Sequence, residues 1–222
     1  MKLVVGTFVT LDGVMQAPGG PDEDRSGGFE HGGWLVPYFD DMMGALITQW
    51  TQAADGLLLG RKTYEIFAAH WPHIGDEDPI AAKLNRVHKY VASRTLDKVE
   101  WNNSSLLKGD LAEEVAKLKR QPGGELQVTG SGNLIQTLLQ HELVDEFRLW
   151  VFPLVLGTGK RLFAEGPRPA ALKLVDTTTS STGVAIHTYA AAGRPTYGSF
   201  ALEEPSPEEI ARRQRIGGLV GP

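Results

Sequence analysis

The chain has 222 residues, 41% of them hydrophobic and 22% charged, enough apolar material for one sizeable core and not the composition of a disordered chain. A net charge of -5 gives no global positive field, so nucleic acid and anionic membrane surfaces are not expected partners and any anion has to be met locally. There is no cysteine, which excludes disulfides, thiolate nucleophiles and zinc–thiolate sites, and the apolar run Leu3-Val4-Val5 is too short for a signal peptide or membrane span, so a cytoplasmic location is expected.

Residues 2–11 (KLVVGTFVTL) are apolar and β-branched and predict a strand buried on both faces. The segment that follows, as far as Gly33, is crowded with Gly, Pro and Asp. Loops of that length inside a compact domain are usually functional, and this one is expected to act as a lid. Met42, Met43, Leu46, Ile47 and Trp50 have the spacing of a helix over 38–54, with Asp55-Gly56 as its breaker. Strands are predicted at 57–59 and 89–92, with a helix at 62–69 between them. A further helix over 110–119 has Asp110 at its start and Lys117, Lys119 and Arg120 at its end, as capping and the helix dipole favour.

Pro122-Gly123-Gly124 stops that helix, and ELQVT at 125–129 makes another strand. Gly130-Ser131-Gly132 introduces a helix over 133–140, and EFRLWVF at 146–152 is again a strand. Residues 172–179 and 184–190 predict a hairpin. The expected fold class is therefore α/β, a mostly parallel central sheet closed by a C-terminal antiparallel hairpin. Residues 1–193 are expected to form one domain and 194–222 an extension, in which Ser206-Pro207-Glu208-Glu209 starts a short helix to about Arg215.

Three strand-to-helix or strand-to-loop turns carry the residues of an anion site. In Leu57-Leu58-Leu59-Gly60-Arg61-Lys62-Thr63, an apolar strand reaches a glycine and then two cations and a hydroxyl, in the first turn of a helix whose free N–H groups already favour an anion. Val128-Thr129-Gly130-Ser131-Gly132-Asn133-Leu134 repeats the arrangement with Gly-x-Gly; Ile135 stands where a Rossmann fingerprint has its third glycine. Ser93-Arg94-Thr95 follows a third strand and suits a phosphate monoester such as the 2'-phosphate of NADP. Each turn alone also fits a polar surface turn. Together, at the carboxyl ends of strands, they point to one extended ligand with several phosphates.

These motifs carry a family resemblance. TLDG at 10–13, LLLGRKTYE at 57–65, VASRT at 91–95 and VTGSGNLIQTLL at 128–139, in this order, resemble the dihydrofolate reductase-like superfamily. The run from Pro153 to Phe163, of the form P-x-x-x-G-x-G-x-x-L-F, narrows the resemblance to stand-alone relatives of the C-terminal reductase domain of the riboflavin-biosynthesis deaminase-reductase. It covers residues 2–190.

The resemblance implies a three-layer sandwich, a homodimer and NADPH as cofactor. Gly60, Arg61, Lys62 and Thr63 would hold the pyrophosphate and help with the 2'-phosphate, and Ser93, Arg94 and Thr95 would face the adenosine end. Gly130, Ser131, Gly132, Asn133 and Leu134 would meet the pyrophosphate and the nicotinamide-side ribose. Backbone from Phe8 to Thr10 would lie beside the carboxamide, and the loop from Asp12 would border a heterocyclic substrate, a pyrimidine or pterin. The implied activity is closest to 5-amino-6-(5-phosphoribosylamino)uracil reductase; a pterin reductase and an NADPH-binding sensor without turnover are the alternatives.

Two departures leave the substrate open. Asp40 and Asp41 do not align with the pterin-holding acid of folate reductases. The helix before the second strand is Met42-Met43-Gly44-Ala45-Leu46-Ile47-Thr48-Gln49-Trp50, where riboflavin-pathway reductases have a basic segment. Asp12 is a candidate proton relay, or else a turn former. Trp34, Phe39, Trp50 and Trp71 either wall a flat heterocycle or belong to the core. The six histidines have no i, i+4 pair, so no metal site is expected.

Overall fold

The computed structural model describes residues 1–163, 168–201 and 203–217. Eight strands form one sheet: β1 (Lys2–Thr10), β2 (Ala54–Gly60), β3 (His88–Ala92), β4 (Ser104–Leu107), β5 (Glu125–Thr129), β6 (Glu146–Phe152), β7 (Leu172–Thr179) and β8 (Ala185–Ala191). Their spatial order is β4-β3-β2-β5-β1-β6-β8-β7. The first six run parallel, β8 is antiparallel to β6, and β7 is antiparallel to β8. This is the expected α/β architecture with its C-terminal hairpin at one end.

The helices are α1 (Asp41–Gln52), α2 (Arg61–His70), α3 (Pro79–Arg86), α4 (Leu111–Lys119), α5 (Gly132–Gln140) and α6 (Pro207–Gly217). Because side chains alternate along a strand, the unbroken apolar run of β2 buries both faces. Leu58 joins Leu3, Val5, Leu126 and Val128 under α4 and α5. Leu57 and Leu59 point to the other side, with Tyr64 of α2, Leu84 of α3 and Trp101. On that same side, Met43 of α1 packs with Trp150, Phe152, Ile186 and Trp34. Helices thus cover both faces, giving three layers.

Local differences from expectation have plain causes. α1 starts at Asp41 and not at residue 38, because Val36–Tyr38 forms a separate 3-10 turn and the Asp40 side chain accepts the Met43 N–H as N-cap. Asp55-Gly56 lies inside β2, at a register shift against β5, with Asp55 accepting the Gly124 N–H. α3 and β4 were not anticipated. The segment expected to be a lid is anchored at a few points: Val14, Met15, Gln16, Ala17 and Phe29 are buried and Val14 bridges to Arg161, while residues 18–28 are exposed or half-buried.

Candidate cofactor-binding rim

Parallel strands whose helices follow them place every strand-to-helix turn at one edge of the sheet. In the order β3-β2-β5-β1, the turns Ser93–Thr95, Gly60–Thr63 and Gly130–Leu134 and the end of β1 stand side by side. At about 4.8 Å per strand they span roughly 14 Å. The four stretches singled out in the sequence, far apart along the chain, are therefore neighbours.

The two central turns are locked together. Gly60 N–H donates to Ser131 Oγ at 2.9 Å, and Ser131 N–H donates to Thr63 Oγ1 at 3.0 Å. A Cβ at Gly60 would lie 3.4 Å from Ser131 Cβ, and one at Gly130 3.3 Å from Thr63 Oγ1. Gly130 has φ +61°, and Ser131 has φ 61° and ψ 48°, so the backbone passes through the left-handed region just before α5. The hydroxyls of Thr63 and Ser131 are thus engaged in shaping the turn, and the Leu134 side chain is in the core. What these residues offer a ligand is backbone.

That offer is specific to these two turns. The N-termini of α1, α3 and α4 are capped by the side chains of Asp40, Asp78 and Asp110. Those of α2 and α5 have no side-chain cap. Their first-turn N–H groups stay available, and they lie on adjacent strands. The cations around them differ. Arg61 pairs with Glu65 at 3.2 Å on an exposed helix face, and Lys62 reaches Asp24 at 3.5 Å. Arg94 is exposed and has no ion-pair partner among the described residues, while Ser93 Oγ accepts the N–H groups of Thr95 and Leu96 and shapes that turn. Asn133 lies in the first turn of α5.

β1 forms a step above the turns. Its pairing with β5 ends at Gly6 opposite Thr129, whereas its pairing with β6 continues to Thr10 opposite Phe152. On the β5 side Thr10 N–H turns to Val14 O at 3.0 Å. Phe8, one period-two step earlier, directs its amide and carbonyl to the same side, where no strand lies beside it. The Phe8 ring packs on Trp150 and Phe152, at 5.6 and 6.0 Å between centroids.

Asp12, the candidate proton relay, is held on several sides. Its carboxylate accepts from Thr10 Oγ1 at 2.5 Å, Gly157 N–H at 2.8 Å and Leu156 N–H at 3.2 Å. The Thr10 bond is the largest cause holding its pKa at about 2; burial, next in size, opposes it, and the amides of Gly157 and Leu156 add to the lowering. Asp12 therefore stays ionised and clamps the end of β1 to the segment after β6.

Of the aromatic candidates, Trp34 and Trp50 are core, edge-on to Phe152 and Trp150, Trp71 packs on Phe67, and Phe39 remains exposed. Tyr64 was not singled out as a site residue. Its buried hydroxyl accepts the N–H groups of Glu100 and Trp101 at 2.9 and 3.0 Å and ties the connection after β3 to α2. A partner thirty-odd residues along the chain leaves no local signal, which is why the motif alone did not reveal it. Among the described residues no group of three His, Cys, Asp or Glu could hold a metal, and no helix is long and apolar enough to cross a membrane.

The chain is similar to known proteins over most of its length. The chain is 34% identical over 186 residues to the uncharacterized protein YyaP of Bacillus subtilis (strain 168), covering 82% of this chain and 91% of YyaP. It is 26% identical over 189 residues to YwjB of the same organism, an uncharacterized protein too, covering 84% and 96%. Among solved structures, a Shewanella sp. PV-4 protein provisionally described as a riboflavin biosynthesis protein matches with a TM-score of 0.65 at 24% identity, over 86% of this chain and 99% of that one. A pyrimidine reductase-like protein of Corynebacterium diphtheriae matches with a TM-score of 0.57 at 12% identity, over 86% and 92%. Dihydrofolate reductase of Enterococcus faecalis, solved with NADP(H), matches with a TM-score of 0.55 at 15% identity, over 86% and 96%. These structural likenesses show that the fold is dihydrofolate reductase-like. The model of the RibD C-terminal domain matches residues 1–186, and the chain belongs to that family of reductase domains.

Proposed function

We propose that the protein is an NADPH-dependent reductase acting on a flat, nitrogen-rich heterocycle, a pyrimidine or a pterin, with 5-amino-6-(5-phosphoribosylamino)uracil as the nearest model substrate. The observation that carries this reading is the pair of uncapped helix N-termini on adjacent strands, α2 and α5, behind the unpaired edge of β1. Fixed N–H dipoles fit a pyrophosphate without having to reorient when it arrives. The glycines that let the two turns touch leave no side chain between backbone and ligand. Arg94, exposed and unpaired at the β3 end of the rim, fits the 2'-phosphate that separates NADPH from NADH. The amide of Phe8, and its carbonyl, which accepts only a long bond from Thr7 Oγ1 at 3.4 Å, fit the complementary acceptor and donor of a carboxamide.

The cofactor supplies the hydride; the chain's own part is to orient the donor and acceptor carbons and to exclude water. With Asp12 ionised in its clamp, the proton that completes the reduction comes through another group or solvent. The sensor alternative draws on the apolar helix 42–50, which brings no basic side chain to a substrate phosphate. A homodimer belongs to the same proposal and is read by sedimentation velocity.

The experiment is to mix purified protein with NADPH and a panel of pyrimidine, pterin and flavin-pathway compounds and follow loss of the reduced-nicotinamide absorbance. Turnover with one class names the substrate. Tight NADPH binding with no turnover across the panel supports the sensor, and no binding of NADPH sinks both.

A further inference from the structure

A second polar cluster stands against the first turn of α2, built from three separate parts of the chain. Asp24 Oδ2 lies 2.5 Å from Lys160 Nζ, and Asp24 Oδ1 lies 3.5 Å from Lys62 Nζ. Ser26 Oγ accepts from Lys160 Nζ at 2.7 Å and from Lys62 Nζ at 3.3 Å, and donates to Asp24 Oδ1 at 2.6 Å. The buried Gln16 holds this arrangement. Its Nε2 donates to the carbonyls of Asp24 and Ser26, both at 2.9 Å, and its Oε1 accepts Lys160 N–H at 3.0 Å. Trp34 Nε1 donates to Gln16 O at 2.8 Å and fixes Gln16 in turn.

The charges do not balance within the cluster. Two ammonium groups face one carboxylate; of the neighbouring charges, Arg61 pairs with Glu65, Arg25 with Asp22, and the Glu23 carboxylate, its pKa raised by burial, turns to the Gly19 N–H at 2.7 Å. A positive surplus therefore sits beside uncapped N–H groups, where a phosphate gains from both. Partial burial pushes the Asp24 pKa up, but the bonds from Lys160 and Ser26 outweigh it and hold the group ionised, at about 2. The side chain of Lys62 is 54% exposed, so its contact with Asp24 is the kind of ion pair that a multiply charged ligand displaces easily.

We propose that Lys62 and Lys160 form one phosphate-binding pair and that Asp24 competes with the cofactor's phosphate for it. The connection between β1 and α1 then sets cofactor affinity through an internal anion, and Lys160 becomes a cofactor contact. This rests on the cofactor reading given above.

The test is a fluorescence titration of NADPH into the full chain, with thermal unfolding to check each variant's fold. Asp24→Asn keeps the shape and removes the charge, and should tighten NADPH binding roughly two- to fivefold at low salt, the gain shrinking as salt rises. Lys160→Met should weaken binding by a similar factor, and the gain from Asp24→Asn should vanish in a Lys62→Met background. An Asp24→Asn variant of unchanged thermal midpoint that binds no tighter overturns the proposal, as does a folded Lys160→Met variant of unchanged affinity. If Asp24→Asn lowers the midpoint, Lys160→Met decides alone. Loss of affinity in Lys62→Met with none of these changes overturns the proposal and leaves the cofactor site standing; unchanged affinity in Lys62→Met contradicts the cofactor site itself.

Discussion

Asp12 receives three hydrogen bonds, one from the Thr10 hydroxyl and two from the amides of Leu156 and Gly157, and so holds two connections together across the top of β1 and β6. Hydrogen bonds to a charged acceptor are worth about 1.5–3 kcal/mol each at most, and removing one partner leaves the donors to find others. Asp12→Ala is expected to cost about 1–3 kcal/mol in urea unfolding at neutral pH. The pH dependence has a definite sign. Because the folded pKa lies below the unfolded one, the stabilisation by the charged form is fully present above the ordinary carboxylate range and is lost as pH falls through about 2. The stability difference between parent and Asp12→Asn should therefore be flat above about pH 5 and shrink below it. A parent turnover that falls as pH rises through one apparent pKa, with that fall absent in Asp12→Asn, would instead make Asp12 the proton source. Arg94 tests the other end of the rim. Arg94→Ala should weaken NADPH about tenfold or more while leaving NADH nearly unchanged, as expected for loss of a charge-assisted contact to the 2'-phosphate. Equal losses for both cofactors would remove that assignment.

Element ends separate structural from functional helix termini. Three helices begin with an aspartate that accepts N–H groups of their first turn, α6 follows Ser206, whose hydroxyl accepts the Glu209 N–H, and α2 and α5 have no side-chain cap. Gly130 makes the tighter of the two uncapped turns. Gly130→Ala places a Cβ in the left-handed region and against Thr63 Oγ1, and is expected to cost about 1–2 kcal/mol. NADPH affinity should fall with it, and unchanged stability and affinity would show that the turn geometry is not needed. At the other end of α3, the buried Lys89 donates to Leu84 O and Asn85 O at 2.9 and 3.2 Å and lies 4.3 Å from the centre of the Trp101 ring. Burial lowers its pKa to about 8. Between that value and the unfolded one the unfolded chain binds more protons, so parent stability rises with pH relative to Lys89→Met, with a slope approaching ~1.4 kcal/mol per pH unit. Urea midpoints at pH 7 and pH 9 read the difference; parallel midpoints would mean that Lys89 keeps an ordinary pKa.

Most elements were legible because their signals are local. The alternation in ELQVT and EFRLWVF and the cap at Asp110 fix strands and a helix within a few residues. Asp78-Pro79 is an equally good start signal for α3, with an N-cap that accepts two N–H groups, but the helix is only eight residues and two of its three buried side chains are alanines. β4, SSLL, is four residues with no alternation to read. The long-range contacts are of another kind: Asp24 with Lys160, Tyr64 with Glu100, Ser131 with Gly60. Each joins residues whose types are common at turns, and only the assembled sheet decides which turn meets which.

At the scale of the whole molecule, strand order does the positioning. Inserting β5 between β1 and β2 brings the turn before α5 against the turn before α2, and the longer β1–β6 pair stands above both as a wall. The rim is carried by the ends of four neighbouring parallel strands of a sheet packed on both faces, so its layout follows from the core beneath it. An NADPH titration followed by backbone amide NMR tests that placement most directly. The account predicts the largest shifts at Arg61, Lys62, Ser93 to Thr95 and Gly132 to Leu134, with Phe8 responding at the nicotinamide end. Shifts confined to the opposite edge of the sheet, around Gln52, Lys83 and His88, or no shifts at all, would contradict it.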